Sequence, residues 1–256
     1  MVACSSAAPS TSDPIDPVND GSRQQRPPPT IKEAEAGVGD SGTTTDPDAG
    51  SGVCKTVPPT NRCGLDPQCG CGVNETCDVT NDETGATSCT TAGSATLGRP
   101  CGRTGDCAAG LTCAFGACRP YCTTARSKCN QPGTDLCIEM TDSNNNPYPL
   151  SNTCSIVCDP WDAKGACGTN RCDWFESFYK PFKISDCSAP GTATLGQACK
   201  YDDDCVTGHL CIGSKCERWC RMGQAGDCPS NKVCDDYFGV DGPTVGGVKR
   251  GVCLVP

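Results

Sequence analysis

The chain has 256 residues, 27 of them cysteine, and a formal net charge of −9. With 30 glycines, 21 prolines and only 5% aromatic residues, it cannot fill one large hydrophobic core, so small units held by cross-links are expected. It has no basic stripe, which argues against nucleic acid, and no apolar run long enough to span a membrane.

The chain opens Met1-Val2-Ala3-Cys4. These residues resemble the end of a bacterial lipobox: an aliphatic residue, two small residues and a cysteine. The resemblance implies that Cys4 is lipidated and becomes the mature N-terminus, with Ser5 favouring the outer membrane. Twenty-six cysteines pair evenly and leave Cys4 over. Stable anchoring takes two or more acyl chains, at roughly 0.8 kcal/mol per buried methylene, and a lipoprotein N-terminus supplies them. No basic, apolar leader is visible before Cys4, which leaves two readings: a true start further upstream, or a chain that begins at Met1 and stays inside.

Residues 5–53 are rich in Ser, Thr, Pro, Gly and Asp and contain no aromatic. Such a stretch cannot offset its ordering entropy, and it reads as a disordered tether. Its r.m.s. span is on the order of 40 Å and its full extension about 160–175 Å. Residues 1–53 therefore form the lipobox-like start and tether, 54–156 a first cysteine-rich copy and 157–256 a second.

The cysteines carry the duplication. "GSATLGRPCGRTGDCAAGLTCAFGACRPYC" (93–122) matches "GTATLGQACKYDDDCVTGHLCIGSKCERWC" (191–220) at a constant offset of 98 residues. Cys101, Cys107, Cys113, Cys118 and Cys122 fall on Cys199, Cys205, Cys211, Cys216 and Cys220. Further out, Cys63, Cys71, Cys77 and Cys89 correspond to Cys158, Cys167, Cys172 and Cys187. Likewise Cys129, Cys137 and Cys154 correspond to Cys228, Cys234 and Cys253. Cys54 and Cys69 are extra and are expected to pair. Each copy reads loose, compact, loose, and the compact unit is C-x5-C-x5-C-x4-C. The expected fold is a row of small disulfide-rich modules of loops and short β-hairpins. Four cysteines allow three pairings, and spacing does not choose among them, but both copies are expected to use the same one. The chain has no C-x2-C and one histidine, so disulfides rather than zinc are expected, and hence an oxidising compartment.

As a whole, the lipobox-like start, the Asp/Pro/Ser-rich tether and the "ATLGxxC" repeats resemble cysteine-rich lipoproteins of myxobacterial type. The resemblance spans nearly the whole chain and implies a cell-envelope location, lipid-anchored or extracellular, with no established activity.

No catalytic set is legible. The single histidine, His209, falls on Leu111 of the first copy, which marks a packing position rather than a general base. Asp204 falls on Asp106 and reads as a turn former ahead of a cysteine. Neither a cofactor nor a metal is expected. The least ordinary stretch is "CDWFESFYKPF", which puts Trp174, Phe175, Phe178, Tyr179 and Phe182 within nine residues. A short helical turn would align two aromatic edges there. The first copy has no aromatic at this place, so the unit's fold does not demand them. These five are the candidate contact patch for an extracellular protein or glycan. A non-enzymatic, surface-tethered binding or adhesion protein is the expectation, with a protease-resistant envelope spacer as the alternative.

Overall fold

The computed structural model describes residues 54, 63–81, 83–141, 146–175 and 183–256. Cys4, the tether, Phe178, Tyr179 and Phe182 lie outside the described residues. The regular structure described is mostly short antiparallel strand pairs joined by turns and loops, with one four-residue α-helix, Lys164–Cys167.

Thirteen disulfides join the 26 cysteines from Cys54 onward, and twelve of them obey one rule. In every four-cysteine unit the first cysteine bonds the third and the second bonds the fourth. The first unit shows Cys63–Cys77 and Cys71–Cys89, and its counterpart shows Cys158–Cys172 and Cys167–Cys187. The compact units show Cys101–Cys113 with Cys107–Cys118, and Cys199–Cys211 with Cys205–Cys216. The closing loose units show Cys122–Cys137 with Cys129–Cys154, and Cys220–Cys234 with Cys228–Cys253. The extra cysteines pair as Cys54–Cys69.

The rule has a geometric cause. In each unit the third and fourth cysteines face each other across a hairpin: Cys77 and Cys89, Cys113 and Cys118, Cys137 and Cys154, Cys172 and Cys187, Cys211 and Cys216, Cys234 and Cys253. Directly opposed residues point to the same face of a sheet. Both sulfurs therefore emerge on one side and receive the two cysteines of the preceding loop. Loose and compact units are one design with different loop lengths. The close trios of sulfurs, within 4.8 Å of one another, are these adjacent disulfides.

The "GxATLGxxC" stretch is a clamp on each compact unit. The Gly93 and Gly191 N–H groups donate to the carbonyls of Cys107 and Cys205 at 2.6 and 3.1 Å, and Ala95 and Ala193 donate to Asp106 and Asp204 at 3.0 Å. A Cβ on Gly93 would stand 2.3 Å from the Asp106 carbonyl oxygen, and one on Gly191 2.0 Å from that of Asp204. Only glycine permits this approach. The aspartates each close a 3-10 turn, Thr104–Asp106 and Asp202–Asp204. The Asp106 carboxylate accepts from the Gly102 and Arg103 N–H groups, and that of Asp204 from Lys200 and Tyr201. Backbone donors, led by Gly102, hold the Asp106 carboxyl below its usual range.

In the second copy the compact hairpin continues into the last unit. Strands His209–Ile212, Lys215–Arg221, Val248–Leu254 and Val233–Asp235 lie side by side in that order, with Thr244–Val245 also paired to Val248–Leu254. The first copy keeps only an isolated bridge, Tyr121 to Thr153, at the same junction.

Replacing Gly93 or Gly191 by alanine is expected to cost about 1–3 kcal/mol, because the backbone must move to admit the methyl group. Gly102→Ala, which meets nothing nearer than 3.6 Å, is expected to stay within about 0.5 kcal/mol. Thermal unfolding of the three variants, with disulfides intact, measures the difference.

Candidate functional site

Units dock through polar groups as much as through apolar ones. At the seam between the first two units, Thr76 and Asp78 of the strand Glu75–Asn81 reach the compact unit. The Leu111 carbonyl lies 3.4 Å from the Thr76 hydroxyl, and Asp78 accepts from Thr112 at 3.2 Å and Tyr121 at 2.7 Å. Burial first, then the Asp78 charge, push the Tyr121 phenol well above its usual range. The second copy uses the same two places with different chemistry. Arg171, in the place of Thr76, donates to the His209 carbonyl, the counterpart of Leu111, at 3.1 Å and to that of Cys205 at 3.3 Å. It pairs with Asp173, the counterpart of Asp78, at 2.5 Å.

The two copies join through Arg119 and Asp186. Arg119 is wholly buried and donates to the Asp186 carboxylate and to the Cys187 carbonyl, both at 2.6 Å. Asp186 also accepts from the Ile156 and Cys187 N–H groups at 2.9 Å. Burial pushes its carboxyl up, and the guanidinium and these N–H groups pull it back. Around this pair pack Ala117, Ile156, Cys158, Ala163, Cys167, Cys172 and Cys187, a small core shared by three units.

Docking leaves a groove of about 510 Å³ where the third, fourth and sixth units meet. Trp174, Lys183 and Ser185 of the aromatic hairpin form one wall, and Pro243–Gly246 the other. Asp159, Asp162 and Ala166 come from the same unit as the hairpin, and Asp135 and Val157 from the third. An ion pair between Lys183 and Asp241 ties the two walls. Asp159 is held by Arg250 at 2.5 Å, and Asp135 pairs with Lys128. Asp162 is exposed and has no ion-pair partner among the described residues. The groove thus offers an indole, a carboxylate with no ion-pair partner among the described residues, and a lysine tied to Asp241, at the edge of a shallow cleft, which suits binding.

Of the five aromatics, Trp174 and Phe175 are described, and they lie on a strand rather than in the helical turn expected. Arg171–Phe175 is a strand paired with Ile184–Ser188. Crossed disulfides impose a hairpin here, and a strand sends neighbours to opposite faces. Trp174 packs against the core of Leu210, Trp219, Phe238 and Val252. Phe175 packs against Leu136, Ile138 and Ile184. Each ring is partly buried, so both contribute to the core, and Trp174 also lines the groove. His209 is half-buried, with Nδ1 3.2 Å from the Thr207 carbonyl oxygen, and burial lowers its pKa.

Sequence reasoning missed Arg119, Asp186, Arg171 and the groove carboxylates. One signal was present: Asp78 and Asp173 each follow the third cysteine of an opening unit. Searches against protein-family models, curated proteins and solved structures find no match for this chain.

Arg119→Met alone is expected to cost about 3–5 kcal/mol, because it strands a buried carboxylate. Adding Asp186→Asn is expected to recover part of that loss; urea titration of both variants gives the comparison. A second expectation concerns acid. Two side-chain bonds from Arg221, at 2.9 Å each, hold the nearly buried Asp227 below the usual carboxylate range. Its contribution to stability is present above the unfolded pKa of about 3.9 and is lost as pH falls through the lower folded value. Asp227→Asn is expected to flatten that part of the stability-against-pH curve.

Proposed function

We propose that the protein is a non-enzymatic binding or adhesion lipoprotein of the bacterial envelope, anchored by acyl chains on Cys4 and held off the membrane by residues 5–53. Its contact is the groove at the junction of the third, fourth and sixth units, and its partner an extracellular protein or glycan. The observation that carries this reading is that groove: an indole wall beside an exposed Asp162 with no ion-pair partner among the described residues, at a junction made only when the two copies dock. Interfaces between folded units are common places for binding sites. Thirteen disulfides suit an oxidising compartment outside the cytosol.

The packing of Trp174 and Phe175 into two cores favours the spacer alternative, since aromatic residues committed to the fold need no ligand. One pair of experiments decides. Expression from the native upstream region is expected to give an acylated N-terminal peptide beginning at Cys4, and Cys4→Ser to release soluble protein. Full-length protein is then screened against immobilised envelope glycans and secreted proteins. A ligand lost on Asp162→Lys, with thermal stability unchanged, places the contact in the groove. Binding indifferent to Asp162→Lys removes the groove, and no binding to any surface leaves the spacer.

A further inference from the structure

The opening units of the two copies differ at one place with a structural consequence. Counted from the first cysteine, the third residue is Asp66 in one and Trp161 in the other. Trp161 is half-buried. It packs against Leu210, Trp219, Phe238 and Val252, with the guanidinium groups of Arg218 and Arg221 4.9 and 5.0 Å from its ring centroid. In the first copy the counterparts of Arg218 and Trp219 are Pro120 and Tyr121. There the structure has a cavity of about 280 Å³, lined by Leu65, Asp66, Gln68, Gly110, Pro120 and Tyr121 among others.

We propose that this cavity is a slot for an aromatic ring, and that its occupant is an exposed tryptophan side chain of a protein partner. The second copy fills the corresponding place with its own indole. In the first copy Asp66 removes that ring and leaves an exposed carboxylate, with no ion-pair partner among the described residues, at the cavity's edge. An indole has one N–H donor and no acceptor, which one carboxylate satisfies. A sugar ring presents several hydroxyls and needs several polar partners. The Gln68 amide is already committed, accepting from the Cys77 N–H at 2.6 Å and donating to the Cys77 carbonyl at 3.0 Å. Leu65, Pro120 and the Tyr121 ring supply apolar contact.

An independent feature points the same way. Cys54–Cys69 is the one disulfide without a counterpart in the second copy. It pins the small hairpin Gly64–Leu65/Gln68–Cys69, which forms one side of the slot. Here a Cβ on Gly64 would lie 2.6 Å from the Cys69 sulfur. A wall fixed before binding loses less entropy when a ligand arrives. The slot lies in the first three units and is separate from the groove, so it stands or falls independently of it.

The test uses the full chain, isotope-labelled, titrated with N-acetyl-tryptophanamide. Saturable amide shifts are expected at Leu65, Gly110 and Tyr121 and not around the groove. Asp66→Trp is expected to abolish the response and raise the melting temperature, because the introduced ring fills the slot as Trp161 does. Asp66→Ala, which keeps the cavity, is expected to weaken binding about tenfold through loss of the charged acceptor. This variant decides the matter if Asp66→Trp does not fold. No saturable shift, equal affinity in Asp66→Ala, or shifts produced by a methyl glycoside instead of the tryptophan amide would each overturn the proposal.

Discussion

Everything in this molecule hangs on two disulfides meeting one hairpin. A unit of some twenty to thirty residues cannot bury enough apolar surface to hold itself. Two cross-links over loops of 11 to 25 residues each remove on the order of 3 kcal/mol of unfolded-state freedom. Opposing the third and fourth cysteines across a strand pair puts both links on the same face. This geometry tolerates loop length well, so the same design serves a four-residue turn between Cys113 and Cys118 and an eighteen-residue excursion between Cys234 and Cys253.

Once the units are stapled, little apolar surface remains for joining them. The seams are accordingly polar and specific: Asp78 with Thr112 and Tyr121, Arg171 with Asp173, Arg119 with Asp186. Buried charged pairs are weak sources of net stability, yet removing one partner is costly. They act mainly to fix how each unit sits on the next. The second copy adds a true apolar core, with Trp219 stacked on Phe238 at 5.2 Å between ring centroids. All three tryptophans belong to that copy. That is why the aromatic content is so uneven along the chain, and why Trp174 belongs as much to the fold as to the groove.

The groove and the slot share an origin. Neither lies within one unit; each is the space left where three stapled units meet. Duplication supplied the slot's junction twice, and divergence treated the two differently, whereas the groove lies at the seam between the copies. In the second copy Trp161 closes the inner place and the long loop ending in Pro243–Gly246 walls an outer groove. In the first copy the inner place stays open beneath an added disulfide.

The duplication, the reliance on disulfides, the hairpin-and-loop character and the equivalence of pairing between copies were all legible in the sequence. Cysteine spacing is a covalent constraint, and it survives when other residues drift. The turn role of Asp106 and Asp204 was legible for the same reason, since a residue fixed beside a cysteine keeps its local task. The choice of first-to-third and second-to-fourth pairing was not legible, because it depends on which cysteines the hairpin register sets opposite each other. Nor was the strand at Trp174 and Phe175, which the crossed disulfides of Cys172 and Cys187 hold against Ile184–Ser188. Arg119 and Asp186 lie 67 residues apart and meet only when the copies dock. The sequence by itself determined the units and their staples, because covalent links are written in the positions of the cysteines. The seams, the groove and the slot were decided only by the tertiary structure, because they arise where surfaces from separate units come together.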